Sequence, residues 1–183
     1  MNRVALLGLC TLFGCAACET KGDGAPGLSR ERATRPRALA VGDFFPRESE
    51  ADVVGPLERR VTRGSASFSR LVKNDARGIV FKDEERTGAD RLMHPLVRAR
   101  LNELSRLVQR EWPSLELRVT EAWDEDLEHG ALSVHYEGRA VDVTTSDSNG
   151  DRLGRLAGLA VEAGFDWVYR EKTHVHASVR GKP

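Results

Sequence analysis

The sequence predicts an α+β domain in which a mixed β-sheet is backed by two α-helices. Two stretches carry apolar residues at helical spacing, and around them lie short stretches in which apolar and polar residues alternate. Helical and strand-like stretches do not alternate regularly, which argues against a wholly parallel sheet. At 183 residues, the chain has room for one such domain and an amino-terminal extension.

The composition excludes some classes of function and cross-link. Basic and acidic residues balance at 28 each, so bulk charge favours neither nucleic acid nor an anionic membrane as a partner. The cysteines all lie before residue 19, at Cys10, Cys15 and Cys18. The rest of the chain has no disulfide and no thiolate ligand, so any cross-link in it must be a metal.

The amino-terminal residues 1–18 are typical of an export signal. A positive charge precedes a short apolar run, Val4–Phe13, and a bilayer span would need about 20 apolar residues. The stretch Leu12-Phe-Gly-Cys15 resembles a bacterial lipoprotein cleavage box. This predicts a lipid on Cys15 and a periplasmic or cell-surface location at the membrane. Lipidation of Cys18, or a plain cleaved secretory signal, is the alternative.

Residues 19–40 are rich in Gly, Pro and Arg and have no periodicity, which predicts a flexible linker. Residues 41–183 then form the folded domain. Its first predicted strands are Leu57–Val61 and Gly78–Phe81. A helical stripe of leucines and valines runs from Leu92 to Trp112, and we expect the regular helix to start near Pro95.

The remaining elements complete the sheet and add the second helix. Leu115–Glu121 and Arg139–Thr145 alternate as half-buried strands. Leu153–Val161 forms a helical stripe, which Gly164 closes as a carboxyl-terminal cap. The segments Trp167–Glu171 and His174–Arg180 are predicted to form a closing hairpin.

A pair of stretches carries residues of the types that bind zinc. His135 and Asp142 stand on either side of Gly138, whose freedom at positive φ allows a tight turn. Downstream, alternation places His174 and His176 on the same face of one strand, just after Glu171. Histidines, an aspartate and a free glutamate are the parts of a catalytic zinc site with an open position. The alternative is a set of ordinary strand histidines.

Four segments in order closely resemble the amino-terminal signalling domain of hedgehog proteins, with a resemblance that runs from about Val41 to Arg180. They are Phe81–Met93, Leu117–Asp126, His135–Asp147 and Leu159–Tyr169. That family is similar in fold and zinc ligation to bacterial D-Ala-D-Ala peptidases. The resemblance implies a hedgehog-type or peptidase-like zinc fold.

The resemblance also implies roles for particular residues. It implies that His135, Asp142 and His176 hold zinc, that Glu171 activates a water molecule, and that His174 and His129 flank the metal. It further implies a calcium site in two acidic turns, formed by Glu84, Glu85, Asp90, Glu121, Asp124 and Asp126. Six to eight oxygen ligands are usual for Ca²⁺. Taken alone, either acidic turn is more typical of a solvated surface than of a metal site.

Together these observations predict a secreted, lipid-anchored zinc peptidase that acts on the stem peptides of peptidoglycan. In that prediction Glu171 is the general base, and His174 and His129 stabilise the charge that develops on the carbonyl oxygen. Calcium either regulates the cleft or only stabilises the fold. The alternative prediction is a non-catalytic signalling module that docks a protein partner at its zinc cleft.

Overall fold

The structure is a computed structural model, and it describes residues 34–181. The predicted signal peptide (1–18), the predicted lipidation site Cys15 and most of the predicted linker (19–40) lie outside the described residues. These predictions, and the domain boundaries drawn from them, remain predictions.

Within the described residues, six strands form one mixed sheet and two short strands pair separately. The six are Phe44–Phe45 (β1), Ile79–Phe81 (β3), Leu117–Glu121 (β5), Ala140–Thr145 (β6), Trp167–Arg170 (β7) and Val175–Ser178 (β8), and the separate pair is Val72–Lys73 (β2) and Leu92–Met93 (β4). The order in the sheet is β1-β7-β8-β6-β5-β3, and β3 pairs with β5 in parallel while the other neighbours are antiparallel. The predicted mixed sheet is confirmed.

The helices of the described region are Glu50–Val54 (α1), Pro95–Glu111 (α2) and Leu153–Ala163 (α3). The two long helices, α2 and α3, pack together on one face of the sheet. Leu101, Leu104 and Leu156 of the helices and Val143 and Ala177 of the sheet are all fully buried there. Burying each large apolar side chain stabilises the fold by about 1.5–3 kcal/mol. Every helix in this part of the chain is too short or too polar to cross a bilayer.

The predicted starts and ends of the long helices are also observed. The first residue of α2 is Pro95, where the missing N–H costs no intrahelical hydrogen bond. His94 is the N-cap, and its Nδ1 accepts from the Leu96 N–H at 3.2 Å. At the other helix, Gly164 follows α3 as its C-cap.

The predicted strand Leu57–Val61 is wrong. Its backbone N–H groups do not enter a ladder, because a buried carboxylate accepts two of them. Glu137 Oε1 lies 2.8 Å from the Glu58 nitrogen and 2.7 Å from the Arg59 nitrogen. This segment is therefore irregular and is bound to the chain around Glu137.

The packing of α3 against residues 37–39 predicts an unusual response to a helix glycine substitution. Gly158→Ala should lower the free energy of unfolding, although Gly→Ala inside a helix ordinarily raises it by about 1 kcal/mol. The reason is that a Cβ at position 158 would overlap the carbonyl oxygen of Arg37, and overpacking costs about 1–3 kcal/mol. Urea unfolding of both proteins measures the difference.

The matched control is Gly150→Ala, where a Cβ meets no atom within 4 Å. We expect its unfolding midpoint to stay close to wild type. A Gly158→Ala protein that is more stable than wild type would show that residues 37–39 do not pack on α3.

Candidate metal centre

Neighbouring strands bring the predicted zinc ligands together. Asp142 on β6 lies directly opposite His176 on β8, on the sheet face that points away from the helices. His135 comes from a 3₁₀ turn, Val134–Glu137, that leads into β6. Gly138 ends this turn at φ +64°, and a Cβ there would lie 2.8 Å from Leu71 Cδ2. The turn and the strand therefore present His135 and Asp142 to one point.

The donor atoms form a small triangle. His135 Nε2 lies 3.2 Å from His176 Nδ1 and 3.3 Å from Asp142 Oδ1, and the last two atoms are 3.0 Å apart. Ligand atoms at about 2.0–2.1 Å from a tetrahedral zinc ion lie about 3.3–3.4 Å from one another. The triangle thus matches three corners of such a site, with its edges slightly short.

The outer hydrogen bonds of both histidines fix which nitrogen faces the triangle. His135 Nδ1 lies 2.7 Å from the Ala122 carbonyl oxygen, which only accepts, so Nδ1 carries the proton and Nε2 offers a lone pair. His176 Nε2 lies 2.8 Å from Glu50 Oε1, so this nitrogen donates and Nδ1 faces Asp142. With a metal ion bound, one nitrogen lone pair from each ring and a carboxylate oxygen would converge on it, an arrangement that a cation stabilises.

The pKa shifts around the triangle have the same cause. Burial by itself lowers the pKa of His176, but its hydrogen bonds to Asp142 and Glu50 raise that pKa to about 10. Burial likewise raises the pKa of Asp142, yet the surrounding histidines, His135 foremost, hold it well below its usual range. The carboxylate stays ionised, so the site attracts positive charge.

Two of the three residues predicted to be catalytic, His129 and His174, contact the same carboxylate, and Glu171 lies beside His174. His129 Nε2 lies 3.5 Å from Asp142 Oδ2, and its ring stacks on His135 with centroids 4.2 Å apart. His174 Nε2 lies 3.3 Å from Asp142 Oδ2 and 3.6 Å from Glu171 Oε2. A hydrogen bond to Asp142, followed by one to Asp124, raises the pKa of His129 to about 9 against the effect of burial.

His129 is therefore a second candidate for the metal. Nitrogen atoms of His129 and His135 and an oxygen of Asp142 lie within 4.8 Å of one another. The triangle through His176 is tighter, with edges of 3.0–3.3 Å, and its strands are in register. We therefore favour His135, Asp142 and His176 as the ligand set and place His129 beside it.

A cleft of about 570 Å³ opens at these residues. It is lined by residues 129–133, Trp167, Tyr169, Glu171, His176 and Glu50. Leu132 on its rim is 81% exposed, while the ring of Trp167 is largely buried in the wall. The cleft thus combines a polar base with apolar and aromatic sides.

The predicted calcium residues form a separate acidic cluster, with one exception. Glu85, Glu121, Asp124 and Asp126 line one small cavity. Asp90 lies buried nearby, where its oxygens accept from the Asp83 N–H at 2.8 Å and the Ala122 N–H at 3.2 Å. Glu84 turns away to a salt bridge with Lys82 at 2.7 Å, so the structure does not bring all six together.

Two carboxyl groups of the acidic cluster have raised pKa values, because their charged forms are buried close to other carboxylates. Burial, followed by the charge of Asp90, raises the pKa of Glu121 to about 8. Burial also raises the pKa of Asp90 to about 6. Asp124 joins this cluster to the cleft, because its Oδ2 accepts from the backbone N–H of His129 at 3.1 Å and lies 2.8 Å from His129 Nδ1.

Glu50 is a site residue that the sequence did not predict. This residue opens α1, far upstream of the histidines, and no spacing connects it to them. It was also not possible to foresee the carbonyl of Ala122, since a backbone atom carries no signature in the sequence. Both are hydrogen-bond partners on the outer side of the candidate metal-binding histidines.

Fold and site together define the class of protein: an α+β domain with a cleft of histidines and carboxylates suited to a metal ion. Comparison with known proteins makes this specific. The profile of the hedgehog amino-terminal signalling domain matches residues 20–178. The chain belongs to this family.

The relatives it matches are hedgehog proteins of animals. The chain is 48% identical to the Indian hedgehog protein of Gallus gallus over 181 residues, which cover 97% of this chain and 44% of that protein. It is 45% identical to the Sonic hedgehog protein of Danio rerio over 185 residues, 100% of this chain and 44% of that protein. It is 50% identical to the hedgehog protein of Drosophila erecta over 157 residues, 84% of this chain and 34% of that protein. The chain thus spans less than half the length of these relatives.

These comparisons correct the predicted activity and partner. The prediction of a zinc metallopeptidase with peptidoglycan stem peptides as substrate is wrong, because the family is one of signalling domains and the relatives are named hedgehog proteins. The physical reason is that histidine and aspartate donors around an open position serve docking as well as hydrolysis. The presence of Glu171, His174 and His129 beside them did not discriminate between the two uses.

Proposed function

We propose that this domain is a non-catalytic signalling module that docks a protein partner at its metal cleft. The observation that carries the proposal is the match of residues 20–178 to the hedgehog amino-terminal signalling domain. The relation in fold and zinc ligation to D-Ala-D-Ala peptidases stays a prediction from the resemblance.

The metal we propose for the cleft is zinc. His135 Nε2, His176 Nδ1 and Asp142 Oδ1 hold it, and the observation in favour is that their mutual distances of 3.0–3.3 Å match a tetrahedral site. Neutral imidazole is a common zinc ligand, whereas calcium and magnesium prefer oxygen donors only. The metal would fix the three elements that meet at the base of the cleft.

The walls of the cleft fit a protein partner. Trp167 and Tyr169 offer aromatic surface, and the exposed side chain of Leu132 stands on the rim. Aromatic and apolar residues around a small polar centre are typical of the energetically important part of a protein interface. His129 and Glu171 supply hydrogen-bonding groups beside that surface.

We also propose that the protein is exported and anchored through a lipid on Cys15. The support is the sequence of residues 1–18, with its positive start, short apolar run and cleavage box. One acyl chain binds a membrane only marginally, and the further acyl chains of a lipoprotein make anchoring stable.

The docking proposal predicts that an apolar rim residue controls partner binding. A photoreactive cross-linker at position 131 first identifies the partner on the cell surface. The affinity of the domain for that partner is then measured with purified proteins. Leu132→Asp should weaken binding by more than about tenfold, because it places a charge in an apolar interface. A zinc chelator should weaken the binding of the wild type as well.

The matched control is Leu96→Asp, since Leu96 is also exposed, at 43%, but lies at the start of α2. It should bind as wild type does. Partner binding that survives both Leu132→Asp and the chelator would contradict docking at the cleft, and so would Glu171-dependent release of peptide fragments.

For the acidic cluster we propose a calcium ion. The support is that Glu85, Glu121, Asp124 and Asp126 face one cavity. Burial, followed by repulsion from Asp90, raises the pKa of Glu121 to about 8, and a divalent cation would stabilise the ionised carboxylates against both effects. Asp124 makes two hydrogen bonds with His129, so a calcium ion that holds Asp124 would also order one wall of the cleft.

Calcium should therefore raise the melting temperature by mass action, because only the folded protein assembles the cluster. Asp124→Ala combined with Asp126→Ala should abolish the rise. Glu84→Ala is the control and should keep it, since Glu84 pairs with Lys82 instead. Calorimetry with and without Ca²⁺ measures the shift, and an equal rise in the double variant would rule out the cluster.

A further inference from the structure

The short helix α1 brings a carboxylate to the far side of a metal-site histidine. Glu50, in the first turn of α1, places Oε1 2.8 Å from His176 Nε2. The other nitrogen of this ring, Nδ1, points into the triangle with Asp142 and His135. One imidazole thus connects the amino-terminal helix with the metal centre.

The helix is held firmly enough for its carboxylate to have a fixed direction. Ser49 caps it, with its side chain accepting from the Asp52 N–H at 3.2 Å. Val53 and Val54 are buried in one cluster with Trp167. At its end, the Arg139 guanidinium donates to the carbonyl oxygens of Val54 and Pro56, each at 2.8 Å.

The interaction also has a chemical consequence for His176. A neutral imidazole carries one proton, and it can be on either nitrogen. A carboxylate at Nε2 stabilises the tautomer with the proton there, which leaves the lone pair on Nδ1. His135 has the opposite arrangement, because the Ala122 carbonyl holds its proton on Nδ1. The two rings therefore enter the site through different nitrogens.

We infer that Glu50 is a positioning residue of the metal centre, which holds His176 in the tautomer and orientation that bind the metal through Nδ1. This inference rests on the proposed metal site. Carboxylates that accept from the outer nitrogen of a ligating histidine orient the ring and increase its basicity, and their loss typically weakens metal binding by about 10–100-fold. Glu50 is 126 residues away from His176 in the sequence, and no motif records their pairing.

The test compares four variants of the full chain with zinc as the probe: Glu50→Ala, Glu50→Gln, the control Glu48→Gln, and His176→Ala. Chelator competition measures the zinc dissociation constant, and ¹⁵N chemical shifts of the His176 ring report its tautomer in the zinc-loaded protein. Glu50→Ala should weaken zinc binding by about 10–100-fold, and Nε2-bound and Nδ1-bound forms of His176 should then coexist. Glu50→Gln should recover part of the affinity and the single tautomer, because an amide oxygen still accepts from Nε2–H. The control Glu48→Gln changes an exposed carboxylate two residues away and should match wild type.

The outcomes separate this inference from the metal site on which it rests. If His176→Ala binds zinc as wild type does, the ligand set itself is wrong. If His176→Ala loses zinc but Glu50→Ala retains wild-type affinity, only the role of Glu50 is overturned. A Glu50→Ala protein with weakened binding but an unchanged tautomer, not improved by Glu50→Gln, would show that Glu50 merely supports the fold. Zinc bound to Nε2 of His176 in the wild type would overturn the inference directly.

Discussion

His135→Ala should abolish stoichiometric zinc binding and lower the melting temperature of the zinc-loaded protein to that of the chelated wild type or below it. His135 is fully buried and supplies one of three proposed donors, so its loss removes a third of the ligand set. A metal present at 1,000 times its dissociation constant stabilises the native state by about 4 kcal/mol. The substitution also leaves the Ala122 carbonyl without the donor that lies 2.7 Å away, which costs about 1–3 kcal/mol more.

Metal analysis and calorimetry on dialysed protein measure both effects. Glu171→Gln is the control for a cleft residue outside the ligand set: it should retain about one zinc per chain, and a chelator should lower its melting temperature as in wild type. In His135→Ala the chelator should have no effect. A His135→Ala protein that still binds one zinc ion tightly would mean that His129, His174 and His176 form the site without it.

The candidate donors could be proposed from the sequence in part, because some of their geometry is local. His135 and Asp142 are joined by one tight turn, and His174, which immediately precedes β8, contacts Asp142 as His176 does. The two long helices were predictable for a similar reason, since a repeat of about 3.6 residues is a property of one segment alone. Their packing on a mixed sheet followed because each has a single apolar face.

The features that could not be predicted depend on contacts between residues that are far apart in the sequence. Glu50 reaches His176 only because β1 pairs with β7 and α1 follows that edge of the sheet. Leu57–Val61 was predicted to be a strand, but the buried carboxylate of Glu137 binds that backbone instead. The donor atoms alone also could not decide between hydrolysis and docking, because the same atoms hold a metal ion for either function.

Arg139→Met should lower the free energy of unfolding by about 3–5 kcal/mol, the typical cost of removing one partner of a buried ion pair. Arg139 is 1% exposed and Glu137 is fully buried, and their side chains meet through Arg139 Nε and Glu137 Oε2 at 2.7 Å. Without the guanidinium, the carboxylate of Glu137 remains buried with only backbone N–H donors. The carbonyl oxygens of Val54 and Pro56 also lose their donor.

The double variant with Glu137→Gln and Arg139→Met tests whether the uncompensated charge is the cause. It should be more stable than Arg139→Met alone, because a neutral amide still accepts from the backbone of residues 58 and 59 and no charge is left buried. The matched control is Arg47→Met, which removes an exposed guanidinium 3.3 Å from Asp43, and exposed pairs contribute little to stability. Its unfolding midpoint should not move.

Urea unfolding in the presence of a metal chelator measures the contribution of the Arg139–Glu137 pair to stability separately from that of metal binding. Since Arg139 anchors the end of α1, the single variant should also bind zinc more weakly, in proportion to how far Glu50 is released from His176. An Arg139→Met protein within about 1 kcal/mol of wild type would mean that the residues around Pro56 do not depend on this pair. A double variant less stable than the single one would show that groups other than Arg139, such as the backbone N–H groups of residues 58 and 59, compensate the charge of Glu137.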